Sequence, residues 1–131
     1  MNRRNSQKRE SILACFRNTD RHPSAEWVYE QLKPQYPDLS LGTVYRNIGQ
    51  LIDEGRLRTV GVVGDRERFD GRTDPHCHAV CTRCGKVIDL DGVTLLPELC
   101  REAQQTTDFW LREPQVRFDG LCRECREKEV K

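Results

Sequence analysis

Apolar residues recur at helical spacing through the first fifty positions and at alternating spacing soon after. Ile12, Leu13 and Phe16 make an apolar stripe that predicts a helix over residues 6–17, with Asn18 and Asp20 as turn residues behind it. A second helix follows His22 and Pro23. Ser24 is a good N-cap, Glu26 suits the first turn, and Val28 and Leu32 share a face before Pro34. The third helix is the most regular: Ser40 caps it, Leu41, Val44, Ile48 and Leu51 line one side, and Gly55 closes it. Its other side carries Thr43, Tyr45, Arg46, Asn47 and Gln50, groups able to bond phosphates and base edges.

Strands are predicted over 57–63 and 66–69, around Gly64 and Asp65. Three helices followed by a hairpin is the order of a winged helix-turn-helix. Beyond Asp70 the style changes. Gly71, Asp74 and Pro75 suggest a hinge over 71–75, dividing a first domain (1–70) from a second (76–131). The second reads as strands over 76–80 and 86–90, an amphipathic helix over 94–106 marked by Leu95, Leu96, Leu99 and Ala103, further strands at 109–111 and 116–118, and a charged tail. The expected class is α+β, a winged helix joined to a small α/β domain.

Length and composition narrow this picture. The 131 residues suit one ordinary domain or two very small ones, which excludes a large two-domain enzyme. Only 36% of residues are hydrophobic, 33% are charged and mean hydropathy is −0.78, so any core is thin. Net charge is only +1, which with the periodic apolar runs argues against a disordered chain. That near-neutrality hides an asymmetry. Through residue 60 ten Lys/Arg face seven Asp/Glu (+3), and from 61 onward twelve face fourteen (−2). No apolar stretch approaches the roughly 20 residues of a membrane helix and none follows the basic start, so a soluble, cytoplasmic chain is expected.

Seven cysteines in a chain this short mean disulfides, a metal or redox chemistry, and a reducing cytosol favours the metal. Cys81 and Cys84 form one Cys-x-x-Cys pair, and Cys122 and Cys125 form another after 37 intervening residues. Two such knuckles supply the four-sulfur tetrahedron that structural zinc prefers, and zinc would stabilise a domain whose core is thin. His76 and His78 alternate along a strand and present both imidazoles on one face to a single ion. Asp70 lies just before them, and Asp89 can reach the same ion if its strand pairs with theirs. His22, read alone, is a surface residue in the turn leading into a helix.

HPSAEWVYEQL, LSLGTVYRNIGQLIDEGRL, RFDGRTDPHCHAVCTRCGKVIDL and the final GLCREC together resemble the ferric uptake regulator family of metal-dependent transcription factors, in family order over almost the whole chain. The resemblance implies a homodimer with an N-terminal winged helix, a C-terminal dimerisation domain and structural zinc on the four cysteines. It places a regulatory site on His22, Asp70, His76, His78 and Asp89. Nitrogen and carboxylate donors suit Fe(II) or Mn(II) better than thiolates do. Aspartates at 70 and 89 look most like the peroxide-responsive (PerR-type) subgroup; an iron- or manganese-responsive uptake regulator is the alternative. In that subgroup peroxide oxidises a ligand histidine, here His22 or His76. A filled site would tie the two domains into one orientation and set the spacing of two recognition helices on a palindromic double-stranded DNA operator. The match puts DNA contacts on Thr43, Tyr45, Arg46 and Asn47, with helix packing the competing reading for Tyr45.

The chain departs from the family where only MNRRN precedes the first predicted helix, in place of an extra helix. A further metal site of some relatives is expected to be missing, because Cys77 and the Pro114-Gln115 region stand in its positions. Cys15 and Cys100 are expected to be packed against apolar helix faces. An enzyme is not expected: a zinc deaminase needs a glutamate two residues after its histidine, and that position after His76 is His78. A thiol redox module would leave the polar face of the third helix and the five-ligand set without a purpose. No small organic substrate and no membrane partner are expected.

Overall fold

Ile12, Leu13 and Phe16 meet Val28, Val44, Ile48 and Leu51 in one apolar core, so the three predicted stripes face one another. In the computed structural model, which describes residues 3–93 and 97–129, these stripes belong to α1 (Arg3–Arg17), α2 (Ala25–Leu32) and α3 (Leu41–Asp53). The side chains of Ser24 and Ser40 accept hydrogen bonds from the amides of Trp27 (3.2 Å) and Thr43 (3.1 Å), capping α2 and α3 as expected. Gly55 adopts a φ of 74° just past α3, the left-handed turn that ends a helix. Helix α1 starts three residues earlier than its apolar stripe predicts. Its first two turns are polar and anchored by charge: Arg4 and Lys8 both reach Asp38, at 2.9 and 3.5 Å.

Strands β1 (Arg58–Val63) and β2 (Arg66–Asp70) pair antiparallel as the wing, with an irregularity between Thr59 and Gly61. Phe69 on β2 packs edge-on against Phe16, with ring centroids 5.7 Å apart, and pins the wing to the helices. In the second half, β3 (Cys77–Cys81) is central, with β4 (Val87–Leu90) antiparallel on one side and β5 (Arg117–Gly120) parallel on the other. Helices α4 (Pro97–Gln105) and α5 (Arg123–Glu129) complete an α+β fold. Val60 and Val63 of the wing pack with Val80 and Val87 of this sheet.

Two features differ from expectation, while α4 falls within the predicted 94–106 span. Residues 109–111 form no strand: the Phe109 and Leu111 amides donate to Thr107 Oγ1 and Gln104 Oε1, which replaces a ladder partner. The charged tail is helical, with Glu124 in the first turn and Arg126 and Lys128 in the last, a distribution that favours the helix dipole. Helix α4 buries none of its described residues, and Leu95 and Leu96 of its predicted stripe lie outside the described residues. No helix among the described residues is long and apolar enough to cross a membrane.

Candidate metal centres

Five side chains from distant positions converge where the wing meets the second sheet. His22 sits in the turn before α2, Asp70 ends β2, His76 directly precedes β3, His78 lies on β3 and Asp89 on β4. The β3–β4 register sets His78 opposite Asp89. His76 Nε2 lies 2.9 Å from Asp70 Oδ2 and 2.7 Å from Asp89 Oδ1. His78 Nε2 lies 2.9 and 3.3 Å from the same two oxygens, and His22 Nε2 3.3 and 2.9 Å. Ligand atoms of His22, Asp70, His78 and Asp89 all fall within 4.8 Å of one another. His22 is only 3% exposed, so the surface reading of this residue is wrong.

The electrostatics follow from burial and charge. Burial pushes the Asp70 carboxyl up, but hydrogen bonds from His22, His78 and the Arg72 amide outweigh it and hold the group well below the usual carboxylate range. Burial pulls His22 and His76 down. Asp70 and Asp89 more than reverse this at His22, and the Asp74 carbonyl followed by Asp70 and Asp89 does so at His76, so both imidazoles stand above their ordinary value. All three Nε2 atoms lie within 3.3 Å of both the Asp70 and the Asp89 carboxylate. The same Nε2 atoms are the lone pairs a divalent cation would take, so the donor set fits an ion.

Supporting contacts orient this cluster. His76 Nδ1 hydrogen-bonds the Asp74 carbonyl (2.7 Å), which leaves Nε2 facing the carboxylates. The Arg72 amide donates to Asp70 Oδ1 (2.9 Å), while its guanidinium holds Asp74 and Asp91. Sequence reasoning missed these partners because two of them are main-chain groups. The charge pattern Arg72-x-Asp74 was the one visible signal.

The four cysteines of the two knuckles also converge. Their sulfurs lie within 4.8 Å of one another, and Cys84 Sγ is 3.8 Å from Cys122 Sγ. A zinc tetrahedron with bonds of about 2.3 Å has edges of roughly 3.8 Å, whereas a disulfide needs about 2.05 Å. The arrangement fits zinc. Backbone amides of Cys122 and Cys84 lower the Cys81 thiol to about 6, and burial with neighbouring thiols raises Cys125 to about 12.

The other cysteines divide. Cys77 is fully buried on β3. Cys15 packs against the helical core, and burial pushes its thiol up. Cys100 is exposed on α4, which corrects the expectation that it is packed. On α3, Tyr45 and Arg46 face solvent, opposite Val44 and Ile48. The Tyr45 hydroxyl donates to Glu26 Oε2 (3.0 Å), so its ring stays out of the core. Thr43 and Asn47 are half-buried, and Asn47 Nδ2 donates to the Thr43 carbonyl (2.8 Å).

A winged helix whose His22 and Asp70 meet His76, His78 and Asp89 of a cysteine-bearing sheet defines a class, the metal-responsive winged-helix regulators. Residues 1–118 match the ferric uptake regulator family, and the chain belongs to it. It is 33% identical over 121 residues to the peroxide-responsive repressor PerR of Staphylococcus aureus (strain USA300), covering 92% of this chain and 81% of that one. The crystal structure of the Campylobacter jejuni peroxide stress regulator is similar at a TM-score of 0.74 and 25% identity, covering 93% and 91% of the two chains. The Helicobacter pylori ferric uptake regulator Fur, a structure with three functional metal-binding sites, shares the fold at a TM-score of 0.72 and 21% identity, covering 92% and 80%.

Proposed function

We propose that this chain is a metal-dependent DNA-binding transcriptional repressor that senses peroxide, and not an enzyme. The observation that carries this reading is the buried His22 Nε2, which shares Asp70 and Asp89 with two histidines of the second half. On this reading His22, Asp70, His76, His78 and Asp89 hold Fe(II) or Mn(II), and Cys81, Cys84, Cys122 and Cys125 hold structural zinc. A segment over 71–75 then acts as the hinge between a DNA-binding part (1–70) and a dimerising part (76–131).

His22 and Asp70 belong to the winged helix, so engaging them together with His76, His78 and Asp89 fixes the orientation of α3 against the second sheet. Two copies joined through their second halves would present two α3 helices to a palindromic operator, with Arg46, Tyr45, Thr43 and Asn47 at the DNA. Leu99, Phe109, Trp110 and Phe118 are exposed apolar side chains suited to that dimer contact. Losing His22 or His76 as a ligand would release the orientation and with it the matched half-site contacts.

Two features favour peroxide over iron or manganese uptake as the signal: aspartates at 70 and 89, and 33% sequence identity to a peroxide-responsive repressor. Bound Fe(II) would supply the redox chemistry by which peroxide adds oxygen to a ligand imidazole. Peptide mass spectrometry of the Fe(II)-loaded protein after peroxide tests this. One added oxygen on His22 or His76 with loss of DNA binding is expected. Unmodified histidines with DNA binding intact would leave the uptake-regulator reading in its place.

A further inference from the structure

The three histidines of the cluster are not held alike. A ligand histidine is ordinarily oriented by a hydrogen bond from its second ring nitrogen, as His76 is by the Asp74 carbonyl. His22 has no such support: its Nδ1 is buried and has no hydrogen-bond partner among the described residues. The main chain positions it instead. His22 is the only non-glycine residue among those described with a positive φ (53°), a conformation unfavourable for a residue with a side chain that must be enforced by its surroundings.

Arg68 enforces it. Its Nε donates to the His22 carbonyl, Nη2 to the Arg21 carbonyl (2.8 Å) and Nη1 to the carbonyl of Gly85 (3.1 Å), the residue after Cys84 in the first knuckle. One guanidinium thus grips both peptide oxygens of the strained turn and the zinc knuckle at once. Burial lowers the pKa of this half-buried group, and with no carboxylate among these partners, three carbonyls take its donors. Val63 and Val80 pack together and line the same cleft as Arg68, between wing and knuckle.

We infer that Arg68 is a positioning residue that sets His22 as a metal ligand through the main chain, and ties that ligand to the knuckle at Gly85. This rests on the assignment of His22 to the regulatory site. The guanidinium fork is required: lysine offers a single ammonium point and cannot reach all three carbonyls at once. His22 is therefore the ligand whose geometry depends on the packing of wing against knuckle, whereas His76 is oriented locally.

A double-mutant cycle on the zinc-loaded full chain tests this, using Mn(II) affinity as the readout. Arg68→Lys is expected to weaken Mn(II) binding by about 10–100-fold, the usual effect of removing an outer partner of a ligand. In a His22→Ala background the same change is expected to alter affinity by less than about twofold, because both changes act through one ligand. Additive losses, or an Arg68→Lys affinity equal to wild type while His22→Ala is weakened, would overturn the inference alone. Wild-type affinity in His22→Ala itself would overturn the ligand assignment and this inference with it. The wild-type protein gives an answer even if the variants misfold. The Arg68 Nε–H resonance should be slow to exchange with solvent and coupled to the His22 carbonyl carbon; rapid exchange would contradict the grip.

Discussion

His22 Nε2 stands 2.9 Å from Asp89 Oδ1 although the two lie 67 positions apart, and this contact joins the turn before α2 to a strand of the second sheet. Removing the imidazole leaves Asp70 and Asp89 with His76 and His78, all beyond the helical core. His22→Ala should therefore keep its fold and its zinc but lose the link between metal and DNA. Duplexes selected from a random-sequence library by the Mn(II)-loaded wild type provide the probe. For wild type, Mn(II) should raise their affinity at least tenfold; for His22→Ala the affinity with and without Mn(II) should agree within about twofold. A retained tenfold gain in the variant would detach His22 from the coupling.

The four thiols predict a different failure. Zinc held by four thiolates contributes roughly 10–16 kcal/mol in small zinc folds, about as much as a whole domain's stability. Cys122→Ser takes away one of the two sulfurs that lie 3.8 Å apart. Zinc content should fall from one ion per chain toward none, and the β3–β4–β5 amides should lose protection from hydrogen exchange. The α1–α3 amides should keep theirs, because their core contains no cysteine ligand. Loss of protection throughout the chain would show that the two halves fold as one unit.

The cluster also has a pH signature, opposite in sign for the two forms. His22 and His76 are raised in the fold, so their contribution is complete below about pH 6.5 and is lost as pH climbs through the raised values. Asp70 is lowered, so its contribution is present above about pH 3.9 and is lost as pH falls toward its folded value. The metal-free protein should gain most from this cluster at mildly acidic pH. A metal ion needs the imidazoles without their protons, so its stabilisation grows with pH. Thermal melts should show the gap between Mn(II)-loaded and metal-free protein widening from about pH 6 to about pH 8. A gap independent of pH would place the ion elsewhere.

Trp110 is 96% exposed in a single chain, beside exposed Phe109 and near an α4 that buries none of its described residues. Such a surface suits a second copy of the chain. Trp110→Asp should weaken self-association by at least tenfold in sedimentation equilibrium while leaving zinc content unchanged. A dimer of unchanged strength would move the contact to another face.

How much of this was visible beforehand depends on what signals each feature. The three stripes, the serine caps and the Gly64 turn carry their own periodicity and backbone chemistry, and all appear in the fold. The cysteine knuckles announce themselves by spacing. The burial of His22 does not, because it depends on Pro23 and Phe69 pairing through the backbone and on the grip of Arg68, none of which leaves a local pattern. The parallel β3–β5 pairing joins residues about 40 positions apart and is equally silent. Phe109 and Trp110 look like strand formers because aromatics favour strands, yet they are exposed and meet no ladder. Helix α5 is hidden for the opposite reason: of its residues only Cys125 is buried, so it has no apolar stripe to read.

The claim on which the rest depends is that one ion spans both halves of the chain. Anomalous diffraction at the manganese edge from crystals of the Mn(II)-loaded, zinc-replete protein tests it most directly. One manganese peak per chain is predicted, bonded to Nε2 of His22, His76 and His78 and to carboxylate oxygens of Asp70 and Asp89. A peak that leaves His22 out of bonding distance, or one that falls on the cysteine sulfurs, would contradict it.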